Sequence, residues 1–143
     1  MTFSLNNNQE IISRDIALDM LISVFPDLKE QWKNYLAEEY KNYNEERLDY
    51  IDIGIVIDYI VEKKKSNETK GFDDFFIRVE NILTSGDSYT MELTIIGLLE
   101  GIQNVCGSEV NYYDGFDEWL KPKTKKVWLE LIEFWEGKSS KLI

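Results

Sequence analysis

Apolar residues along this chain recur mainly with the period of an α-helix. In six stretches they lie three, four and seven positions apart, a spacing that collects them on one face of a helix. No segment favours a strand over a helix, so the expected fold is all-α. Its architecture is an antiparallel bundle or a short stack of helical hairpins. The predicted helices cover residues 8–24, 26–41, 49–65, 72–83, 88–105 and 122–136.

Turn-forming residues mark where several of these helices begin and end. Pro26 disfavours helix at the residue before it and suits the first position of the next helix. Gly86 is suited to end one helix, and Asp87 or Ser88 to cap the next. The segment 108–120 is predicted as a loop followed by a short helix. The expected total is therefore six or seven helices.

Two of the predicted helices are apolar nearly all round, which is typical of helices buried between others. They cover residues 49–65 and 88–105. We expect them to pack against each other as an inner layer, with the amphipathic helices as cover. Gly97 and Gly101 lie on one side of the second helix. Glycine costs about 1 kcal/mol relative to alanine inside a helix, so this pair predicts a close approach of another backbone.

The composition fits one folded domain. The chain has 143 residues, of which 43% are hydrophobic and 13% aromatic, a content too apolar for a disordered chain. We predict a single domain over residues 1–143, with an ordered core over about 8–137. The N-terminus shows no signal-peptide pattern, and no stretch approaches about 20 apolar residues. A cytoplasmic protein without a membrane span is expected.

The absence of histidine and the presence of one cysteine, Cys106, narrow the possible chemistry. They exclude Ser–His and Cys–His nucleophiles, histidine-ligated zinc and any internal disulfide framework. Glycine-rich nucleotide-binding loops and the EF-hand pattern are also missing. We therefore predict a protein that is not an enzyme, with no catalytic residue, metal site or cofactor.

Carboxylates in the two apolar helices are the remaining candidates for catalysis, and they support an alternative function. A buried carboxylate must find a partner or shift its pKa, and facing helices can hold metals through such groups. The alternative is a carboxylate-dependent metal enzyme or hydrolase. The structural interpretation is that these acids lie at exposed edges or pair with Arg47, Arg78 or tyrosine hydroxyls. The four residues are Asp52, Asp58, Glu92 and Glu100.

Acidic residues dominate the charge of the chain. It has 27 acidic and 16 basic residues and a net charge of −11. Such a charge disfavours nucleic acid or an anionic membrane as a partner and favours a basic protein. The basic run Lys121–Lys126 falls at a predicted helix start, where the helix dipole disfavours cations. Either an anionic partner or the acidic surface of the protein itself must compensate.

Two segments combine acidic and aromatic residues and are predicted to contact the basic partner. Aromatic side chains anchor interfaces, and acidic neighbours steer basic proteins toward them. In the alternative interpretation, both are solvated loops whose rings turn into the core. The candidates in the first segment are Tyr112, Tyr113, Asp114, Phe116, Asp117, Glu118 and Trp119. Those in the second segment are Glu38, Glu39, Glu45 and Glu46.

Four stretches occur in a distinctive order and spacing. They are Val24–Leu28, Tyr50–Val61, Leu98–Gly101, and Lys121–Lys126 followed by Phe134 and Trp135. Together they resemble a family of small bacterial all-helical proteins of unknown function, over about residues 15–137. The resemblance implies a stand-alone bacterial helical domain and carries no catalytic residues. The segment 112–119 is longer than the usual pattern, which makes it a feature of this member.

These observations predict an acidic protein-binding module, an immunity-type or inhibitory partner of a basic toxin or enzyme. Small size, strong acidity and the lack of a catalytic residue set support this function. A second alternative, besides the carboxylate-dependent enzyme, is a nucleic-acid mimic that inhibits a DNA-binding protein through rows of acids on one face. The sequence leaves the oligomeric state open.

Overall fold

The computed structural model describes residues 10–42, 46–107 and 110–137 and shows an all-α fold. In this part of the chain six helical runs follow one another, and two of them are interrupted. Its backbone pairing outside helices includes an isolated bridge between Ile12 and Gly86 and no strand. None of the described helices has the length and hydropathy needed to cross a membrane. The elements are α1 (Arg14–Ile22), α2 (Pro26–Glu39), α3 (Asp49–Asp52), α4 (Gly54–Lys65), α5 (Phe72–Ser85), α6 (Ser88–Glu92), a π-helical segment π1 (Leu93–Leu99), α7 (Glu100–Cys106) and α8 (Pro122–Trp135).

Both of the nearly all-apolar helices are divided into shorter pieces. The first run turns at Ile53, between α3 and α4, and the second widens into π1 between α6 and α7. In π1 the hydroxyl of Thr94 donates to the backbone carbonyl of Thr90 at 2.8 Å, a contact that competes with regular helix hydrogen bonds. Across the turn at Ile53, the buried face changes from carboxylates in α3 to apolar side chains in α4.

The two divided runs pack against each other through α4 and α7, as predicted. At this contact Gly101 leaves the space that the Ile57 side chain fills, because a Cβ on Gly101 would collide with Cδ1 of Ile57. A Cβ on Gly97 would lie 3.4 Å from the ring of Tyr50. The close neighbours are therefore side chains, and not the second backbone that the glycine spacing predicts.

Helix α5 keeps the exposed side expected of an amphipathic covering helix, with Asp73, Asp74 and Ile77 exposed, and its other side is deeply buried. It packs against α1, α6, π1 and α8, and Phe72, Phe75 and Phe76 are fully buried. The rings reach several neighbours, with Phe25 at 5.9 Å from Phe75 and Phe116 at 6.1 Å from Phe76. Large side chains give a one-sided helix contacts in several directions, which periodicity alone does not reveal.

Helix α1 begins at Arg14 and not near residue 8, because the described residues before it are paired with another part of the chain. The N–H of Ile12 donates to the carbonyl of Ser85 at 2.8 Å, and the N–H of Asp87 donates to the carbonyl of Ile12 at 3.0 Å. Ile11, which falls within the predicted helix 8–24, is 70% exposed. Residues 8 and 9 lie outside the described part of the chain.

A carboxylate of α5 binds the N-terminus of α8. Glu80 accepts the N–H groups of Lys123 and Thr124 at 3.0 and 2.9 Å and the Thr124 hydroxyl at 2.8 Å. Partial burial opposes ionisation, but these hydrogen bonds outweigh it and hold the pKa of Glu80 below its ordinary value. Lys121 donates to Asp73 at 2.6 Å. The acidic surface of the protein itself thus compensates the basic run.

Residues 110–120 form a series of turns in place of the predicted short helix. The side chain of Asn111 accepts the N–H of Tyr113 at 3.0 Å, a local bond that favours a turn. The carbonyl of Tyr112 accepts the indole N–H of Trp128 at 2.7 Å, and the ring of Phe116 lies 5.3 Å from that of Trp128. These tertiary contacts hold the segment in its irregular conformation.

The last turn of α8 is less buried than the turns before it. Leu131 and Ile132 belong to the core, whereas Trp135 is 51% exposed. The ring of Trp135 lies 6.3 Å from that of Phe134. The apolar face of α8 therefore continues beyond the elements that cover it.

Candidate functional site

Helix α3 directs its carboxylates inward and its apolar side chains outward. Asp49 and Asp52 are 8% and 1% exposed, whereas Leu48, Tyr50 and Ile51 are 54%, 43% and 66% exposed. The predicted helix 49–65 is expected to be buried nearly all round, and the exposed side chains in its first turn correct this expectation. Buried acids beside exposed aliphatic residues reverse the usual distribution of residue types.

Asp52 is held by side chains from α2 and from the connection between α2 and α3. Its Oδ1 accepts the hydroxyl of Tyr35 at 2.7 Å, the hydroxyl of Tyr40 lies 3.0 and 2.8 Å from its two oxygens, and Nε of Arg47 donates to Oδ2 at 3.2 Å. A charge this deeply buried needs such partners. Burial and the bond to Asp52 raise the pKa of Tyr35. The predicted pairing of Asp52 with Arg47 and tyrosine hydroxyls is confirmed.

Asp49 ties α3 to α1 and α6. Its Oδ1 accepts Nη1 of Arg14 at 2.8 Å, and its Oδ2 accepts the hydroxyl of Tyr89 at 2.7 Å. The hydrogen bond to Asp49, together with burial, raises the pKa of Tyr89 to about 12. The ring of Tyr89 stays partly exposed and meets that of Tyr50 edge-on at 6.5 Å.

We call these exposed side chains, together with that of Tyr89, the α3 patch. The rings of Tyr50 and Tyr89 are in contact, and Leu48 and Ile51 lie three residues apart at the start of α3. Burial and the neighbouring carboxylate of Glu92 raise the pKa of the Tyr50 hydroxyl, which places an acid at the edge of this surface. An exposed apolar patch with polar surroundings is typical of an interaction site. The patch consists of Leu48, Tyr50, Ile51 and Tyr89.

The described part of the predicted acidic segment, residues 38–42 and 46, lies next to the α3 patch. The hydroxyl of Tyr40 accepts the N–H of Leu48 at 2.9 Å, which joins the end of α2 to the start of α3. Its aromatic residue Tyr40 turns inward to Asp52, while Glu45 lies outside the described residues. The exposed acids of this segment are Glu38, Glu39 and Glu46.

In the predicted segment 112–119, Phe116 belongs to the core, and Tyr112 and Trp119 are partly buried and pack against it. Phe116 is fully buried, so its prediction as a partner contact is wrong. Trp119 is partly buried, and its ring packs against that of Phe72 at 5.0 Å. A mixture of acids and aromatic rings in sequence does not reveal which side chains a turn directs inward.

The other residues of this segment remain at the surface to different degrees. The ring of Tyr112 stacks on that of Tyr113 at 5.5 Å. Asp117 forms an ion pair with Lys125 at 3.5 Å. Tyr113, Asp114 and Glu118 are exposed and offer a smaller acidic and aromatic surface.

The four carboxylates of the enzyme alternative occupy different environments. Asp52 is engaged by Arg47 and two tyrosines, whereas Asp58 and Glu92 are exposed. Burial raises the pKa of Glu100 above its ordinary value. Within the described ranges no three acidic or cysteine side chains form a group that could hold a metal ion. Burial also raises the pKa of Cys106 to about 11.

A groove of about 310 Å³ runs between α1 and α2, next to Arg47. The guanidinium of Arg47 lies 5.8 Å from the ring centre of Trp32 and 5.3 Å from that of Tyr40. Its Nη2 is buried and has no hydrogen-bond partner among the described residues. The same arginine therefore contacts both the groove and the buried Asp52.

Sequence reasoning missed the orientation of α3 and most of its hydrogen-bond donors. One signal was available: Asp49 and Asp52 lie three residues apart, as do Leu48 and Ile51, so each pair shares one side of a short helix. Tyr89 comes from a distant part of the chain, and no local pattern connects it to Asp49.

Comparisons with known proteins identify a family and no function. No curated protein and no solved structure matches the chain. A family model matches residues 18–136, from the middle of α1 to just beyond α8. The predicted resemblance to a family of unknown function is confirmed, and its extent agrees closely with the predicted range 15–137. The chain belongs to the family described as Domain of unknown function (DUF7674).

Proposed function

We propose that this protein is an acidic protein-binding module, an immunity-type or inhibitory partner that covers a basic surface of a toxin or enzyme. The inverted distribution of side chains in α3 carries this proposal. A helix that served monomer stability alone would bury Leu48 and Ile51 and expose Asp49 and Asp52. The observed orientation instead presents an apolar surface that a partner can cover.

Burial of the α3 patch by a partner would contribute a hydrophobic free energy of binding, because folding of the chain alone leaves these side chains exposed. Full burial of an aliphatic or aromatic side chain is worth about 1.5–3 kcal/mol, and Ile51 is 66% exposed. The network beneath the patch holds α3 from α1, α2 and α6 through Arg14, Tyr35 and Tyr89. A surface that is preorganised in this way loses little conformational entropy on binding, which favours high affinity.

The charge around the α3 patch determines the class of partner. The chain carries a net charge of −11, and Glu38, Glu39, Glu46 and Glu92 are exposed on or next to the segments that form the patch. Acidic surfaces speed the encounter with a basic protein and repel nucleic-acid phosphates. We therefore propose that the partner is a basic protein and that the two proteins meet in the cytoplasm of a bacterial cell.

Site-specific photo-crosslinking in native cells tests this function. A photoreactive residue is placed at Ile51, and at Ile77 on α5 as a matched exposed control. We expect position 51 to trap a protein of high isoelectric point that position 77 does not trap. With that protein purified, Ile51→Ser should weaken binding by about tenfold or more, while Ile77→Ser leaves it unchanged.

Salt dependence completes the test. Added salt should slow association strongly, because exposed charges are screened within about 8–10 Å at physiological ionic strength. Equal adducts from both positions, adducts with acidic proteins, or an affinity unaffected by Ile51→Ser would each contradict the proposal.

A further inference from the structure

The groove between α1 and α2 has an apolar floor and lies apart from the outward face of α3. Leu18 and Ile22 from α1 face Trp32 and Leu36 from α2 across it. Its volume of about 310 Å³ is at the lower end of the range for small-molecule sites, about 300–1,000 Å³. The groove can therefore accept a body of roughly one ring or one branched chain.

The acids on the α1 side of the groove already have partners. Nε of Arg14 lies 3.1 Å from a carboxylate oxygen of Asp15, and the hydroxyl of Ser23 donates to Asp19 at 3.3 Å. Both acids are exposed at the rim. The cations of the groove without an acidic partner in the described part of the chain are the two lysines of α2.

The cations on the α2 side lack such partners. Lys29 and Lys33 lie four residues apart, so they share one face of α2, and in the described part of the chain neither forms an ion pair. Arg47 also lines the groove, where its side chain is 29% exposed, and its Nε is paired with Asp52. A ligand anion would supply the acidic partner that the two lysines lack.

We propose that this groove binds a small organic anion, namely a carboxylate attached to an apolar body of one ring or one branched chain. The carboxylate pairs with Lys29 and Lys33, and the guanidinium of Arg47 supplies further positive potential. The body packs on Trp32 and Leu36. The site is independent of the protein partner, since its ligand touches none of the outward residues of α3.

Calorimetric titration of the full chain tests the proposal with matched probes. Phenylacetate and isovalerate carry both features of the ligand, phenylacetamide lacks the charge, and acetate lacks the apolar body. We expect saturable binding of at least one of the first two, about tenfold or more tighter than binding of phenylacetamide or acetate. Saturation should also change the fluorescence of Trp32, and Trp32→Phe should remove that change.

Variants of the two lysines locate the site. The double variant Lys29→Ala, Lys33→Ala changes exposed side chains and should keep the native circular dichroism spectrum while weakening binding by about tenfold. Lys126→Ala, an exposed lysine on α8, is the matched control and should leave binding unchanged. No saturable binding of either carboxylate, equal binding of phenylacetamide, or an unchanged affinity in the double variant would overturn the proposal.

Discussion

The phenolic oxygen of Tyr40 joins the buried carboxylate of Asp52 to the backbone of Leu48. It lies 3.0 and 2.8 Å from the two oxygens of Asp52 and accepts the N–H of Leu48 at 2.9 Å. Leu48 is the residue that precedes α3. One hydroxyl therefore links the end of α2 to both the start and the inward face of α3, and it helps to determine which side of α3 meets solvent.

Removal of the Asp52 charge should destabilise the fold. In Asp52→Asn, Arg47 loses its carboxylate partner, and an amide replaces the group that accepts from three hydrogen-bond donors. We therefore expect the free energy of unfolding to fall by roughly 3–5 kcal/mol. Urea unfolding measures the change. Asp58→Asn alters an exposed acid of the same run and should change stability by less than about 0.5 kcal/mol. Equal effects of the two variants would refute a special role for the buried acid.

A methyl group at Gly101 should collide with Ile57. Overpacking costs about 1–3 kcal/mol, so Gly101→Ala should destabilise the protein although alanine favours helix. Ile57→Val removes the methyl group in the way, and in the double variant it should recover at least about 0.5 kcal/mol. Thermal unfolding of the four proteins gives this coupling, and additive effects would contradict the contact.

Gly54 provides the matched control for the glycine experiment. It is the first residue of α4, and a Cβ there has no neighbour within 4 Å. Gly54→Ala should therefore leave the protein unchanged or stabilise it by about 0.4–1 kcal/mol. A comparable loss at both glycines would show that the Ile57 contact is not the cause.

Glu80 should stabilise the start of α8 in a pH-dependent manner. Glu80→Gln should cost about 1 kcal/mol, as loss of a helix cap does. The pKa of Glu80 is lowered in the folded state, so its contribution is present above the ordinary carboxyl pKa and disappears as pH falls through the folded pKa. The difference in unfolding free energy between wild type and Glu80→Gln should shrink on acidification. Glu133→Gln, an exposed change on α8, should show no such dependence.

Tyr89 should ionise later than an ordinary tyrosine. Its pKa is raised to about 12 by the bond to Asp49 and by burial. A raised pKa means that the stabilisation is complete below the ordinary value and is lost as pH rises through the folded one. Tyr89→Phe should remove ultraviolet absorbance that develops only near pH 12, and it should reduce the alkaline decline in stability. Loss of absorbance near pH 10 instead would contradict this assignment.

The difference in exposure between Ile51 and Ile53 predicts that the same substitution changes stability little at one position and strongly at the other. Ile51→Ser changes a side chain in water and should alter stability by less than about 0.5 kcal/mol. Ile53 is 2% exposed, so Ile53→Ser should cost at least about 2 kcal/mol through lost burial and an unpaired hydroxyl. Chemical unfolding distinguishes them, and similar losses would mean that α3 is not oriented outward as described.

The helices were predicted from sequence signals that act locally, and most of these predictions are confirmed. Pro26 opens α2, and the side chain of Asp87 caps the helix that begins at Ser88 by accepting the N–H of Thr90 at 2.8 Å. Such signals act within a few residues of the chain. They can therefore be recognised without knowledge of the neighbours that later pack against the helix.

The candidate site was predicted only in part, because its essential contacts join distant positions. The acidic character and the exposed glutamates of residues 38–46 follow from the sequence. The inward turn of Phe116 and the outward turn of Ile51 depend on which neighbours the fold supplies. An apolar residue is buried only where another element covers it, and no spacing rule identifies that element.

The sequence by itself determined the all-helical fold, most helix boundaries and the strong negative charge, since these follow from the period of apolar residues, local capping and composition. The tertiary structure decided which elements the phenylalanines of α5 contact and that α3 faces inward with its acids. Burial of Asp49 and Asp52 requires donors from Arg14, Tyr35 and Tyr89, which lie on three other helices. Only folding brings those donors together, and the free energy of satisfying a buried charge then determines which side of α3 is left for a partner.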